Sequence, residues 1–494
     1  MNSFARKLAG LLTFPNLLVV ILWCSPLLFG GARIQGGSFL RDPDIWWHLR
    51  NAQVLVTTHH FLTTDLYSFT TGGQPWINPE WLAELPYYAA YHFWGVRGLY
   101  YVTFSVFEIM LAGVFRIALL RSRDFTASYV ATFAFVMFAM VNFGPRTILF
   151  GWLSLVVELL IFEAARHRPK AIWWLVPLFT LWINFHGSWM IGVVLFVVYA
   201  ASGLVAGHWG AILAERWKPA HIKRLIAVGG ASFVALFINP YGWRLVFYPF
   251  DFAFQQRLNV SRGEEWLSLD FHTGNGKFFL FVVLCIAVLS LLRRRTWRLH
   301  EVFFALIAIY SAATYVRFLF LAGILLAPMI ATEIARDENE PEPEPDRNRP
   351  LLNATLMLAV LAFVIYRFPK TSVLSQGREA AFPQAAFARL NTFNPQDRVF
   401  NSYAYGGYMI WSARSTPTFL DSRTDIFEHH GILADYAKAI DFHDPLAIFD
   451  QYKIRYVFFP KSDPLIYLLT HTPGWKTNFD QGGAVIMERS TTPA

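Results

Sequence analysis

Apolar runs of roughly twenty residues, the length a bilayer core requires, recur along most of this 494-residue chain, separated by short polar turns. They predict eleven membrane spans, near 13–30, 98–119, 126–143, 148–165, 171–186, 189–206, 224–239, 277–292, 299–315, 318–335 and 351–366. The first run follows Arg6 and Lys7, as the apolar core of a signal peptide would. It reads as a span instead, because it is long, contains Trp23 and Pro26, and has no small-x-small cleavage site after it. The stretch 79–96 departs from the pattern. Glu80, Glu84, Pro86 and His92 make it poor bilayer filler, so it predicts an amphipathic helix lying on the outer interface.

The polar turns differ in charge. With the N-terminus in the cytoplasm, the inner segments hold eighteen Lys and Arg, including Arg121, Arg166, Arg293, Arg298 and Arg336. The first five outer loops are longer and hold ten. Positive charge concentrates in cytoplasmic loops, so this orientation places the first outer loop, 31–97, and the region after 366 outside. The chain thus divides into a transmembrane domain, 1–366, and an extracytoplasmic domain, 367–494. Within the first, 337–350 alternates Pro and Glu. Such composition cannot bury a core and predicts a disordered cytoplasmic linker.

After the last span the pattern changes. Residues 398–401, 417–420, 455–459 and 484–487 read as short buried strands, and 431–441 and 444–452 as helices. That alternation predicts a small α/β domain with a largely parallel sheet. Gly406-Gly407 is too short for a phosphate loop and reads as a turn or close-packing point.

Composition agrees with a polytopic α-helical membrane protein. Hydrophobic residues make up 55%, aromatics 17% and charged residues 15%, against roughly 25% charged in soluble domains. Mean hydropathy is +0.36. The net charge of +8 follows from the basic inner turns and does not signal a nucleic-acid partner. Cys24 and Cys285 both lie in apolar runs, which speaks against a disulfide framework, and no Cys-x-x-Cys metal motif is present.

The candidate chemistry gathers at the outer ends of the spans. Asp42-Pro-Asp44-Ile-Trp46-Trp47-His48 opens the first outer loop. Its carboxylates suit a catalytic base or a metal site, and its tryptophans suit headgroup depth at a membrane surface. The same face receives Asn78, Glu80 and Glu84; Arg146; Asn184 and His186; Asn239 and Arg244; Glu264 and Glu265; and Arg317. Ionisable groups at such depths face a cavity or one another. A lipid-linked sugar transferase needs these types: a carboxylate to take a proton from an acceptor hydroxyl, and guanidinium groups to hold the departing phosphate. Bland alternatives stand beside each. Asp44 also suits an N-cap, His48 and His186 suit hydrogen-bonding supports, and Arg146 and Arg317 suit snorkelling to lipid phosphates. Glu108 and Glu158, inside spans, suggest pairing within the bundle, Glu108 with Arg116. Asp42, Asp44 and His48 form an incomplete metal cluster.

These residues resemble the GT-C superfamily of integral-membrane glycosyltransferases, which carry an acidic motif just after the first span and interfacial helices in the first outer loop. The chain is most similar to a bacterial group of uncharacterised GT-C-like membrane proteins. The likeness rests on Asp42-Pro-Asp-Ile-Trp-Trp-His48, Pro75-Trp76, Glu80-Trp81-Leu82, Asn184-Phe-His-Gly187, Asn239-Pro-Tyr-Gly-Trp243, Glu265-Trp266, Tyr405-Gly-Gly-Tyr408 and Asp421-Ser-Arg423. The resemblance implies a polyprenyl-phosphate sugar donor, a cell-envelope glycan, lipid or protein acceptor, and a bacterial plasma membrane. It implies Asp44, Asp42 and His48 as catalytic residues, with Glu80, Glu84, Arg146, Asn184, His186, Asn239, Arg244, Glu265 and Arg317 binding substrate. Asp-Pro-Asp stands where the family's acidic pair is usually Asp-Glu, which leaves the base open between Asp42 and Asp44. Oligosaccharyltransferase-like members bind a divalent metal through Asp-x-Asp, so metal use by Asp42 and Asp44 is open as well. Their Trp-Trp-Asp signature is absent, which argues against oligosaccharide transfer to asparagine.

Two other classes compete: a non-catalytic membrane scaffold that kept the fold, and a transporter or flippase. Transporters tend to place polar sites at the midplane and show repeats, whereas here the motifs sit at one end and no repeat is visible. The orientation has a direct test. Alkaline phosphatase fused after Ala494 should be active outside the cytoplasm. An inactive phosphatase, with an active cytoplasmic reporter at the same point, would refute it.

Overall fold

The computed structural model describes residues 11–35, 37–293, 295–336 and 349–490, with the backbone alone for 31–35, 142 and 264. Arg6, Lys7, Arg294 and nearly all of the Pro/Glu linker at 337–350 fall outside the described residues. The transmembrane region is built from α1 (Phe14–Gln35), α2 (Asp44–Thr58), α3 (Trp81–Trp94), α4 (Val96–Ser122), α5 (Phe125–Ala139), α6 (Ile148–His167), α7 (Leu175–Phe185), α8 (Trp189–Ser202), α9 (Pro219–Ala235), α10 (Trp243–Gln255), α11 (Arg257–Arg262), α12 (Gly274–Arg293), α13 (Leu299–Thr314), α14 (Leu319–Ile334) and α15 (Pro350–Arg367). A helix lies under each predicted span. Among the described residues, five are long and apolar enough to cross a membrane: α4, α6, α12, α15, and α14 together with the turn before it. The Phe14–Gly30 part of α1 and helices α5, α8 and α13 are shorter and apolar. Helix α7 has 11 residues and α9 carries Lys223 and Arg224, so neither meets that length and polarity.

Helix α14 is the hub of the bundle. Nearly every residue from Leu319 to Ala327 is buried, as expected of a helix that is hydrophobic all round. Helices α4, α5 and α13 pack around it. Helix α3 is amphipathic, as the sequence suggests. It buries Ala83, Glu84, Tyr87 and Ala90 at helical spacing and leaves Phe93 and Trp94 exposed. Elsewhere in the bundle, ion pairs join Arg121 to Glu301 (2.6 Å) and Arg298 to Glu163 (3.0 Å). A small sheet there pairs β1 (Gly207–Trp209) with β2 (Ile212–Ala214) and β2 with β3 (Trp297–Arg298). Glu108 and Glu158 do not pair as expected: none of their carboxylate oxygens has a hydrogen-bond partner.

The C-terminal region adds α16 (Thr371–Ala381), α17 (Gln384–Leu390), β4 (Val399–Asn401), α18 (Tyr403–Ser412), α19 (Thr424–His429), α20 (Ile432–Ile440), α21 (Pro445–Gln451), β5 (Tyr456–Pro460), α22 (Pro464–Thr470), β6 (Trp475–Gln481) and β7 (Ala484–Arg489). The sheet order is β4-β5-β7-β6. Only β4 and β5 run parallel; β5–β7 and β7–β6 are antiparallel. The expectation of a largely parallel sheet is therefore corrected. The reason is β6, which sequence reading missed. It folds back on β7 through Gly482-Gly483, both at positive φ, the two-residue turn favoured in hairpins. The predicted strand at 417–420 is corrected too. Its backbone bonds to the first outer loop, with Thr418 N–H donating to Tyr67 O (3.0 Å) and Phe69 N–H to Thr418 O (3.0 Å).

That contact belongs to a larger union. Trp47, Leu62 and Trp76 of the first loop share one hydrophobic core with Phe400, Phe419, Phe427 and Val457. Beside it, buried Arg423 reaches Asp421 Oδ2 (2.7 Å) and Asp65 Oδ1 (2.8 Å). Its guanidinium lies over the rings of Tyr67 and Trp76, 4.9 and 4.8 Å from their centroids. Asp65 also accepts from Tyr67 N–H (3.1 Å) and Thr71 Oγ1 (2.9 Å). Burial works against ionised Asp65, but Arg423 and these donors outweigh it and hold its pKa below the usual range. Removing one partner of a buried ion pair leaves the others uncompensated and costs about 3–5 kcal/mol. Arg423→Ala should therefore loosen the C-terminal region, measured as faster hydrogen exchange in β4 and α18. Unchanged exchange would show that the apolar core alone holds it.

Candidate active site

The site forms where the ends of six segments meet. Helix α2 begins at Asp44 with Pro43 as its N-cap and no side-chain capping bond, so Asp44 does not cap it. Instead Asp42 Oδ1 accepts the Asp44 N–H (3.0 Å), which fixes the Asp-Pro-Asp turn. Trp46 and Trp47 are 0% and 6% exposed. The expectation that they rest at headgroup level is corrected. Trp46 packs edge-on against Tyr408 and Phe382, and Trp47 Nε1–H donates to Ser422 Oγ (3.0 Å). The partners come from the C-terminal region, which hydropathy cannot foresee. Gly407 of α18 lies against the turn: a Cβ there would stand 2.1 Å from the Pro43 carbonyl oxygen. Gly406-Gly407 is thus a close-packing point.

Two chains of opposite charges run from this turn. In the first, Asp42 Oδ2 meets Arg146 Nε (2.6 Å). Arg146 also pairs with Glu265, whose other oxygen lies 3.9 Å from Arg317. Arg317 stacks on the Trp266 ring, 4.2 Å from its centroid. Glu265 is disfavoured as an anion by burial, yet Arg146 and Arg317 prevail and lower its pKa. In the second chain, buried Glu84 is held by Asn78 Nδ2 (2.7 Å), Asn51 Nδ2 (3.2 Å) and His48 Nδ1 (2.8 Å). His48 Nε2 faces Glu80 Oε2 (3.3 Å), and Glu80 Oε1 faces His186 Nε2 (3.2 Å). Thr147 also bonds Glu80.

The two histidines differ in their hydrogen-bonding roles. Both ring nitrogens of His48 face carboxylates, a fit for two donors. Burial lowers its pKa, but Glu84, Glu80 and Asp44 overcome that and raise it. His186 Nδ1 accepts from Ser188 N–H (2.9 Å), so its Nε2 carries the hydrogen.

Asp44 stands between the chains and makes no ion pair among the described residues. Burial, then the charge of Asp42, raises its pKa to about 7, against the opposing pull of His48, Ser422 and Arg146. A carboxyl that titrates near neutrality can accept and release a proton at working pH.

Asn184, Asn239 and Arg244 stand apart from the two chains. Asn184 Oδ1 accepts from Trp81 Nε1 (2.8 Å) and its Nδ2 donates to two backbone carbonyls, so it braces α3. Asn239 closes its own turn through Leu236 O, Gly242 O and Tyr241 N. Arg244 is exposed at the start of α10. The Glu264 side chain lies outside those described. Sequence reading missed Asn51, Thr147, Ser422 and Tyr403. Asn51 is one turn after His48, and Thr147 follows Arg146, so both had a local signal. Tyr403 precedes Gly407 by one helical turn and shares its face. Tyr403 is 39% exposed, and Asp44, Asp42 and Glu265 are the charges that act on it most strongly.

The residues do not fit a divalent metal. The Arg146 guanidinium already neutralises Asp42. Among the described residues no group of three or more His, Cys, Asp or Glu is arranged to hold an ion.

No family model and no curated protein sequence matches the chain. Among solved structures it is similar to the oligosaccharyltransferase of Archaeoglobus fulgidus tethered to an acceptor peptide. The match has TM-score 0.52 and 11% identity, and covers 89% of this chain and 69% of that one. The same organism's AglB, in complex with an inhibitory peptide and dolichol-phosphate, matches at TM-score 0.47 and 11% identity, over 95% and 74% of the two chains. The first likeness shows a shared fold.

One buried group tests whether the second chain is a unit. Glu84→Leu leaves His48, Asn51 and Asn78 without their acceptor, which should cost about 3–5 kcal/mol for a broken buried pair. The check is the thermal midpoint of the purified protein in detergent. A midpoint equal to that of the unaltered protein would mean that Glu84 is not the anchor.

Proposed function

We propose that the protein is a glycosyltransferase that moves a sugar from a polyprenyl-phosphate donor to an acceptor at the outer face of the bacterial plasma membrane. One observation carries the reading: the run Asp42–Arg146–Glu265–Arg317 flanks a carboxyl, Asp44, that stays out of every ion pair described. In this mechanism Asp44 takes the proton from the acceptor hydroxyl as its oxygen attacks the anomeric carbon. The bond from that carbon to the phosphate oxygen breaks, and the electron pair leaves with the phosphate. Arg317 is the guanidinium suited to receive that charge, because among the described residues its one carboxylate contact is long (3.9 Å). Arg146 is engaged by two carboxylates, one of them Asp42, which makes Asp42 the support and Asp44 the base. The His48–Glu84 pair fixes the helix that carries Asp44. Tyr403 gives the sugar an aromatic wall. The GT-C-like fold supports the reaction class; the donor, acceptor and membrane side belong to the proposal.

A second reading, a scaffold without catalysis, draws on the same contacts. Both charge chains are largely self-neutralised, as a structural ionic core would be. Activity separates the two.

Asp44→Asn removes the proton acceptor and keeps the shape. Sugar transfer should fall about 10²–10⁴-fold with donor binding little changed. Arg317→Ala should weaken donor binding as well, since a charge-assisted contact is lost. Full activity in the Asp42→Asn, Asp44→Asn double variant would exclude both from chemistry. No transfer by the unaltered protein from a panel of polyprenyl-phosphate sugars would move the scaffold reading ahead.

The pH dependence follows from the sign of the Asp44 shift. A base with a pKa of about 7 is mostly protonated below that value and mostly ionised above it. The rate should fall about tenfold per pH unit on the acid side and level off above neutrality. A flat profile from pH 5 to 8 would exclude Asp44 as the base.

A further inference from the structure

Helix α10 follows the Asn239-Pro-Tyr-Gly turn and carries a stripe that the bundle leaves uncovered. Trp243, Phe247, Phe250 and Phe254 are 65%, 56%, 41% and 72% exposed. Their spacing of four, three and four places them on one face. No charged residue interrupts that row, and Arg244 lies exposed at its start. The rest of the helix is fastened. Leu245 and Val246 are buried, Phe252 packs on Trp266 with ring centroids 5.5 Å apart, and Asp251 Oδ2 meets His429 Nε2 at 2.7 Å. Pro249 lies against Gly187, where a Cβ would stand 3.5 Å from Pro249 Cγ. The stripe is therefore fixed in direction rather than loose.

Its surroundings name the occupant. Helix α9 exposes Ile226, Phe233 and Val234, and the turn after it exposes Phe237 and Ile238. Exposed apolar residues thus run along the chain from a helix read as bilayer-facing, through the turn after it, to the aromatic row of α10, with only Asn239 and Arg244 as polar residues between Ile238 and Phe247 apart from the Pro-Tyr-Gly of the turn. An amphipathic helix with aromatics on its apolar face suits the plane of a membrane interface, and an arginine beside it can snorkel to headgroups.

We propose that α10 lies in the leaflet on the candidate site's side, with Trp243, Phe247, Phe250 and Phe254 sunk into lipid, so that bilayer rather than protein covers this face. The helix then fixes the depth of the loop that carries His186 and braces the Glu265-Trp266 segment from the lipid side. This inference concerns binding to a lipid surface and does not depend on sugar transfer.

The test uses the full chain with Cys24→Ser and Cys285→Ser, in nanodiscs of phosphatidylcholine and phosphatidylglycerol. Spin labels go on Phe247→Cys and Phe254→Cys, and on Lys476→Cys as an aqueous reference. Phe250→Cys replaces either stripe variant that does not fold. Collision with oxygen should dominate over collision with a water-soluble nickel chelate at the stripe, and the order should reverse at 476. Nickel dominance at the stripe would overturn the proposal by showing water there. Low accessibility to both reagents would overturn it by showing a protein cover, such as a second copy. Because no reading involves sugar, a protein inactive as a transferase still gives a decisive result.

Discussion

Arg423, buried between Asp65 and Asp421, is the contact on which the rest of the site depends. Two carboxylates and one guanidinium cannot stay dry apart, because an unpaired buried charge is far more costly than a paired one. Their pairing therefore draws the C-terminal region onto the first outer loop. Ser422, next in the chain to Arg423, then meets Trp47, and Gly407 comes to rest on Pro43. The Asp-Pro-Asp turn is held from both sides, and Asp44 acquires its dry setting without a cation of its own.

The logic of the site is one of distribution. Five carboxyl groups, those of Asp42, Asp44, Glu80, Glu84 and Glu265, crowd into one region, and all but one have a cationic or imidazole partner. Pairing holds those in place. The exception is shaped by burial and by the neighbouring negative charge of Asp42. Environment thus separates groups of the same type into supports and a single titrating carboxyl, the pattern by which acid and base roles are divided on one scaffold.

Much of the architecture was legible because hydropathy is a local property. Apolar runs and basic turns located a helix under each predicted span, and the polar ends of the runs named Asp42, His48, Arg146, Glu265 and Arg317 before any geometry. Pairing was not legible, since it depends on contacts between distant residues. Trp46 and Trp47 illustrate the limit. An amphipathic ring serves a headgroup layer or a protein core equally well, and only Tyr408, Phe382 and Ser422 decide between them. The stretch 417–420 had strand composition but found its backbone partners in the loop at 67–69. Strand β6 was readable in principle, since Trp475, Thr477 and Phe479 alternate with polar residues before Gly482-Gly483. Asn184 and Asn239 looked like substrate ligands because their role as local braces is set by carbonyls that no side-chain pattern reveals.

The union of the first loop with the last region also has a meaning in time. Trp47 and Ser422 are 375 positions apart. At about 5–20 residues per second, ribosomal synthesis separates their appearance by about 20–75 s. Throughout that interval the early loop has emerged while the residues that will shelter it have yet to be made. Its acidic turn and its tryptophans wait uncovered while span after span is threaded. The site is thus among the last features of the molecule to come into existence, and a chain interrupted after its final span would hold every helix of the bundle and no assembled centre.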